Sequence, residues 1–137
     1  MSGTLATAAG ETTSAAPLAT VILVAVIAVV ASVVLHGLCM RVIYERYAHT
    51  GGRPWLKLSS IVLVLLLAHL VQIALFAVAY LWLDRGAGDL VGDYGGGFGD
   101  AVYFSAAVYT TVGFGDITPV GHLRLLVGIE ALTGLML

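Results

Sequence analysis

Three apolar runs divide the chain. From Pro17 to Met40 the stretch PLATVILVAVIAVVASVVLHGLCM carries no formal charge. About 24 residues at 1.5 Å each make roughly 36 Å, enough to cross a bilayer with some tilt. A second run extends from about Leu56 to Leu83, and a third from Gly121 to Leu137, which is at the lower limit of a span. The pattern predicts a first transmembrane helix over 17–40, a polar loop over 41–55, a second helix over 56–83 and a last helix over 121–137. Residues 1–16 are rich in Ala, Thr, Ser and Gly, with Glu11 as their one charge. They lack the basic segment of a cleaved signal and are expected to form a flexible or interfacial tail. The last run stops without a basic flank, so the chain is expected to continue beyond Leu137.

The placement of charge orients these helices. Arg41, Arg46, Arg53 and Lys57 are four of the six Lys and Arg residues. By the positive-inside rule the 41–55 loop is cytoplasmic and the N-terminus lies outside. His49-Thr50-Gly51-Gly52-Arg53-Pro54 supplies the break, Trp55 suits the interface, and Tyr80 and Trp82 are expected to form an outer aromatic belt. The Gly- and Asp-rich segment 84–99 then lies outside, as a flexible turret. Its GGGFGD, Gly95 to Asp100, has a superficial likeness to a phosphate-cradling loop. No strand is predicted before it, however, and the glycine spacing is wrong. Asp100 is suited to cap a short helix over Ala101 to Thr110.

Composition narrows the class. The chain is 60% hydrophobic and 10% charged, with a mean hydropathy of +1.03. That describes a membrane protein rather than a soluble domain. A net charge of −2, with the basic residues gathered in one short loop, argues against nucleic-acid binding. Cys39 is the sole cysteine, which rules out an intrachain disulfide or a multi-cysteine metal site. No Ser/His/Asp or Cys/His set stands near the membrane surface and the histidines lack metal-ligand spacing, so the chain is not expected to be an enzyme.

The chemistry is concentrated in Tyr103 to Pro119, YFSAAVYTTVGFGDITP. It is not apolar enough to span, and Gly113 and Gly115 let the backbone take dihedrals closed to other residues. TTVGFGD after YFS resembles the pore loop of potassium channels, with the likeness sharpest over residues 100–134. The resemblance implies an all-α membrane protein: three transmembrane helices with a re-entrant pore helix (100–110) and a selectivity-filter loop (111–116), assembling as a homotetrameric pore. It implies that the carbonyls of Thr111, Val112, Gly113 and Phe114, with the Thr111 hydroxyl, bind permeant K+ in place of its water. Gly113 and Gly115 would allow the carbonyls to turn inward, Val112 would face away from the axis and pack on the pore helix, and Asp116 would brace the filter from behind. The carbonyl end of the pore helix near Thr110 would favour a cation. No cofactor other than permeant K+ is implied, the partners are copies of the same chain and the lipid bilayer, and no regulatory ligand is named. The charge-derived topology brings the motif in from the outer face, the side from which such loops dip.

The chain departs from the family pattern in carrying Phe114 in place of the commoner Tyr and in having two helices before the loop. It lacks the regularly spaced arginines of a voltage sensor. The outer acids Asp84, Asp89, Asp93, Asp100 and Asp116, against Arg85, should concentrate cations. Glu130, well inside the last run, is expected to hydrogen-bond behind the pore helix and support the filter. Gly134 is a candidate gating hinge or a close-packing glycine, as is Gly128, and Arg124 an outer-end anchor. His36 and His69 take packing, interfacial or gating roles, with Gln72 the local partner of His69. The function expected is passive K+ conduction in a cell inner membrane. The rivals are a non-selective cation channel and a non-conducting scaffold or regulatory subunit.

Overall fold

The computed structural model describes residues 3–47, 53–84 and 86–137. Arg85 and most of the expected turn, 48–52, lie outside the described residues. In chain order the elements are α1 (Gly3–Tyr47), α2 (Pro54–Leu83), β1 (Leu90–Gly92), α3 (Phe98–Tyr109), β2 (Ile117–Pro119) and α4 (Leu123–Met136).

α1 is longer than the apolar run at both ends. It begins at Gly3 rather than Pro17, so the expected tail is helical, in keeping with the high helix propensity of its alanines. It also continues past Met40 to Tyr47, where Arg41 and Glu45 form an i,i+4 ion pair at 2.7 Å. Arg41 and Arg46 are therefore on a helix rather than in a loop. α2 opens with Pro54 in its first turn after an extended Arg53, the position where a missing N–H costs nothing. Among the described residues two helices are long and apolar enough to cross a membrane, Pro17–Tyr47 and Pro54–Leu83.

Cross-contacts give the directions. The Tyr47 hydroxyl meets Ser60 Oγ at 2.6 Å, the His36 ring faces His69, and Gln72 Nε2 donates to the Ser32 carbonyl. These pairs run in opposite senses, so α1 and α2 are antiparallel. The seam of α1 is Val21, Ala25, Ala28 and Ser32, all buried at alternating spacings of four and three. Small residues there let α1 approach α2 and α4 closely. Outward positions such as Leu23, Ile27, Val30 and Val34 are apolar and exposed, a surface suited to lipid rather than water.

α3 also runs antiparallel to α2. Phe104 packs edge-on against Tyr80 with ring centroids 5.0 Å apart, Ser105 reaches the Ile73 carbonyl, and Tyr109 reaches His69 and Gln72. From Leu83 to about His69 is some 20 Å of helix. The chain thus descends along α2 to its middle as α3, turns, and returns to the end of α2 as β2. There β2 pairs antiparallel with β1, with Leu90 opposite Pro119, Val91 opposite Thr118 and Gly92 opposite Ile117. The segment expected to be a flexible turret is therefore folded onto the exit of the loop. Two glycines permit the approach: a Cβ on Gly92 (φ 108°) would lie 2.0 Å from the Asp116 carbonyl oxygen, and one on Gly121 (φ 64°) 3.1 Å from Gly88 Cα. β1 also supplies a short strand before GGGFGD, where none was predicted. Asp100 does not cap α3. The helix begins earlier, after Gly97, and the Asp100 carboxylate accepts the Gly95 N–H at 2.9 Å. Tyr80 is fully buried, facing the interior instead of an aromatic belt, whereas Trp82 is exposed.

Candidate functional site

The end of α3 is closed by the loop that follows it. Thr110 N–H donates to the Ala106 carbonyl at 3.1 Å, Thr111 N–H to Val108 at 2.9 Å and Gly113 N–H to Ala107 at 3.0 Å. The loop backbone alternates in hand: Thr111, Gly113 and Gly115 have φ of 59°, 52° and 82°, whereas Val112 and Phe114 do not have positive φ. Among the described residues Thr111 is the one non-glycine with positive φ, a costly state for a β-branched side chain. The N–H groups of Thr111 and Gly113 thus point back to the helix. Among the described residues no hydrogen bond reaches the five successive carbonyls of Thr111 to Gly115.

Residues Thr111 to Asp116 are all exposed. Val112, expected to pack on the pore helix, is 57% exposed, because α3 buries its Ala101, Phe104, Ser105 and Val108 face against α2 and α4. Phe114 is 68% exposed and stacks on Tyr103, ring centroids 6.1 Å apart and 6° from parallel. The Tyr103 hydroxyl donates to Asp116 Oδ2 at 2.7 Å, and Ile117 N–H to Oδ1 at 3.0 Å. The Tyr103 hydrogen bond, helped by backbone N–H groups, holds the Asp116 carboxyl below its ordinary range against a smaller opposing effect of desolvation. The Asp116 carbonyl accepts Asp93 N–H at 3.0 Å, joining the loop to the β1 side. Asp116 is thus held in place from two directions.

Glu130 lies behind α3 and is fully buried. The Tyr80 hydroxyl donates to its Oε2 and the Ser105 hydroxyl contacts its Oε1, while Ser105 Oγ also lies 2.8 Å from the Ile73 carbonyl. One carboxyl group therefore links α2, α3 and α4. Lower down, Gly134 faces Tyr109: a Cβ there would sit 2.0 Å from the Tyr109 carbonyl oxygen. The structure thus supplies a packing reason for this glycine. Gly128 has nothing within 4 Å of a would-be Cβ, and Arg124 is exposed.

A second polar layer was only partly visible in the sequence. His69 Nδ1 lies 3.2 Å from Gln72 Oε1, the partner expected from spacing, and also 3.0 Å from the Tyr109 hydroxyl. Tyr109 donates to Gln72 Oε1, and Gln72 Nε2 donates to the Ser32 carbonyl at 3.1 Å. The His36 ring is 5.6 Å from that of His69. Tyr80, Ser105 and Tyr109 carried no local signal, because their partners lie 25 to 50 residues away. Among the described residues no group of three or more His, Cys, Asp or Glu side chains is placed to hold a metal ion.

Comparison with known proteins bears on the same part of the chain. The chain is 41% identical over 70 residues to the inward rectifier potassium channel Kirbac3.1 of Paramagnetospirillum magnetotacticum. The aligned region is 50% of this chain and 22% of that protein, so the chain spans about a fifth of the length of the curated relative it matches. No solved structure matches the chain. The family described as ion channels matches residues 60–137, which takes in most of α2, all of α3 with its loop, and α4. With more than half its length so matched, the chain belongs to the ion channel family.

Proposed function

We propose that the chain is one subunit of a homotetrameric, potassium-selective channel in a cell inner membrane, with Thr111 to Gly115 of four copies forming the filter. The observation that carries this reading is the run of five carbonyls without donors, on a backbone of alternating hand at the end of α3. Alternating dihedrals let neighbouring peptide groups point to one side, as they do when amides gather around an anion. Here the N–H side is occupied by the helix end and the carbonyl side is left for a cation. Carbonyls without donors are untenable in hydrocarbon, so four loops facing a common axis, with K+ between them as the transported ion, satisfy them. The likeness to a potassium channel over 70 residues supports the choice of ion.

On this reading α1, α2 and α4 are the three membrane helices, α3 and its loop re-enter from the outer side, and the N-terminus is outside. Asp116, tied by Tyr103, and Glu130, tied by Tyr80 and Ser105, support the filter from its outer end and from behind. Transport is passive, down the electrochemical gradient. The test is ion flux into proteoliposomes, K+ against Na+, with Gly113→Asp as control. Potassium flux well above sodium flux, lost in the variant, supports the filter assignment. Equal fluxes favour a non-selective cation pore, and no flux in either case favours a non-conducting subunit.

A further inference from the structure

Ser32, His36, His69, Gln72 and Tyr109 meet where α1, α2 and the carbonyl end of α3 come together. The hydrogens these groups carry fix their arrangement. The Ser32 carbonyl can only accept, so Gln72 turns Nε2 to it and Oε1 to the Tyr109 hydroxyl. That hydroxyl has one hydrogen, and Oε1 receives it. His69 Nδ1, 3.0 Å from the Tyr109 oxygen and 3.2 Å from Gln72 Oε1, then faces two acceptors and must itself carry a hydrogen. Neutral His69 is therefore the Nδ1–H tautomer, and Nε2 is the nitrogen left to take a further proton. His36 Nδ1 is buried and has no hydrogen-bond partner. A cleft of about 450 Å³ lies against this cluster, with Leu66, Leu70 and Ile73 beside His69, Tyr109 and Thr110 in its mostly apolar lining.

We propose that Gln72 and His69 are positioning residues for ion conduction: through them the additional helix α1 holds the carbonyl end of α3, and protonation at the His36–His69 pair depresses conduction. This rests on the pore reading above. The titratable groups in and around the layer are His36 and Cys39 on α1, Tyr109 on α3, and Glu130 on α4, the last engaged by Tyr80 and Ser105. Imidazole is the side chain that ordinarily titrates between about pH 5 and 8. A proton on His69 puts a charge behind the end of α3, one helix diameter or about 10 Å from the ion path. At an effective dielectric constant of about 20, that lowers cation occupancy roughly tenfold.

The test is K+ flux in proteoliposomes at equal pH on both sides, from about pH 8 to about pH 5.5, the imidazole range. Wild type, His69→Asn, Gln72→Leu and the outer-side control His122→Asn are compared, each normalised to its own flux at the alkaline end. Asparagine keeps a donor near the place of Nδ1 but takes no proton. Wild type and His122→Asn are expected to lose roughly tenfold of their flux on acidification, and His69→Asn to stay flat. Gln72→Leu, which cuts the tie to Ser32, is expected to lower the K+ to Na+ flux ratio. A wild-type pH profile in His69→Asn, or a wild-type flux ratio in Gln72→Leu, overturns the proposal. If wild type conducts nothing at any pH, the pore reading fails instead. The proton-linked contact is then read from histidine Cε1 resonances, where a His36 midpoint unmoved by His69→Asn overturns it.

Discussion

Gly134→Ala is the sharpest probe of how α4 meets α3. The added methyl would lie 2.0 Å from the Tyr109 carbonyl oxygen, 2.9 Å from its carbon and 3.0 Å from Tyr109 Cδ1, where ordinary contact begins near 3.4 Å. The nearest obstacle is backbone, and the Tyr109 side chain is held by His69 and Gln72, so neither swings aside. α4 must retreat by about 1 Å or more, and overpacking of this kind costs about 1–3 kcal/mol, here at the upper end because a whole helix contact opens. Gly128 is the internal control on the same helix. Nothing lies within 4 Å of its Cβ position, so alanine there gains about 0.8–1 kcal/mol of helix propensity. At roughly 3 °C per kcal/mol, Gly134→Ala should lower the melting temperature of the purified protein in detergent by about 10 °C, and Gly128→Ala raise it by about 3 °C. A Gly134→Ala protein that melts at or above the wild-type temperature would refute the packing role and return this glycine to the hinge reading.

Other substitutions test the remaining ties. Glu130→Leu strands the buried Tyr80 hydroxyl and should cost about 1–3 kcal/mol, while adding Tyr80→Phe should recover about 1 kcal/mol or more; strictly additive effects in the double-mutant cycle would show that the two groups do not act together. Because the Tyr103 hydroxyl lowers the Asp116 titration, its stabilising effect is present above the ordinary carboxylate range and is lost as pH falls through the lowered value. Tyr103→Phe should move the Asp116 carboxyl titration up, followed by its side-chain carbon resonance, and an unmoved midpoint would contradict the contact. Gly92→Ala meets both a left-handed φ of 108° and the Asp116 carbonyl at 2.0 Å, so it should break the β1–β2 pairing and speed amide exchange at Asp93 and Val120; unchanged protection would count against the hairpin's part in holding the loop exit.

The additional helix explains some of what the family pattern leaves open. α1 packs on α2 and α4 through Val21, Ala25, Ala28 and Ser32, and at this level the Ser32 backbone carbonyl accepts a hydrogen bond from the Gln72 side chain. A polar contact inside an apolar bundle is a modest stabiliser, of the order of 0.6 kcal/mol on average in such settings, but it fixes register where apolar packing alone tolerates sliding.

Much was determined by sequence alone, wherever the signal was local. Unbroken apolar length marked the two long apolar helices, and TTVGFGD marked the loop, since its glycines admit left-handed dihedrals by themselves. Glu130 and the His69–Gln72 pair could be picked out because a polar group inside an apolar run needs a partner, and one such partner lay a single turn away. Only the tertiary structure decided which partners these are. Glu130 finds Tyr80 and Ser105, 50 and 25 residues distant, and Gln72 finds Ser32, 40 residues distant, so no local spacing could name them. The same holds for the turret, whose Gly and Asp content reads as flexible until β2 returns beside it, and for Gly134, which is hinge or packing surface according to whether a neighbour's carbonyl stands 2.0 Å from its missing Cβ. A chain encodes conformation residue by residue, but close approach and hydrogen-bond satisfaction exist only between segments that folding has brought together.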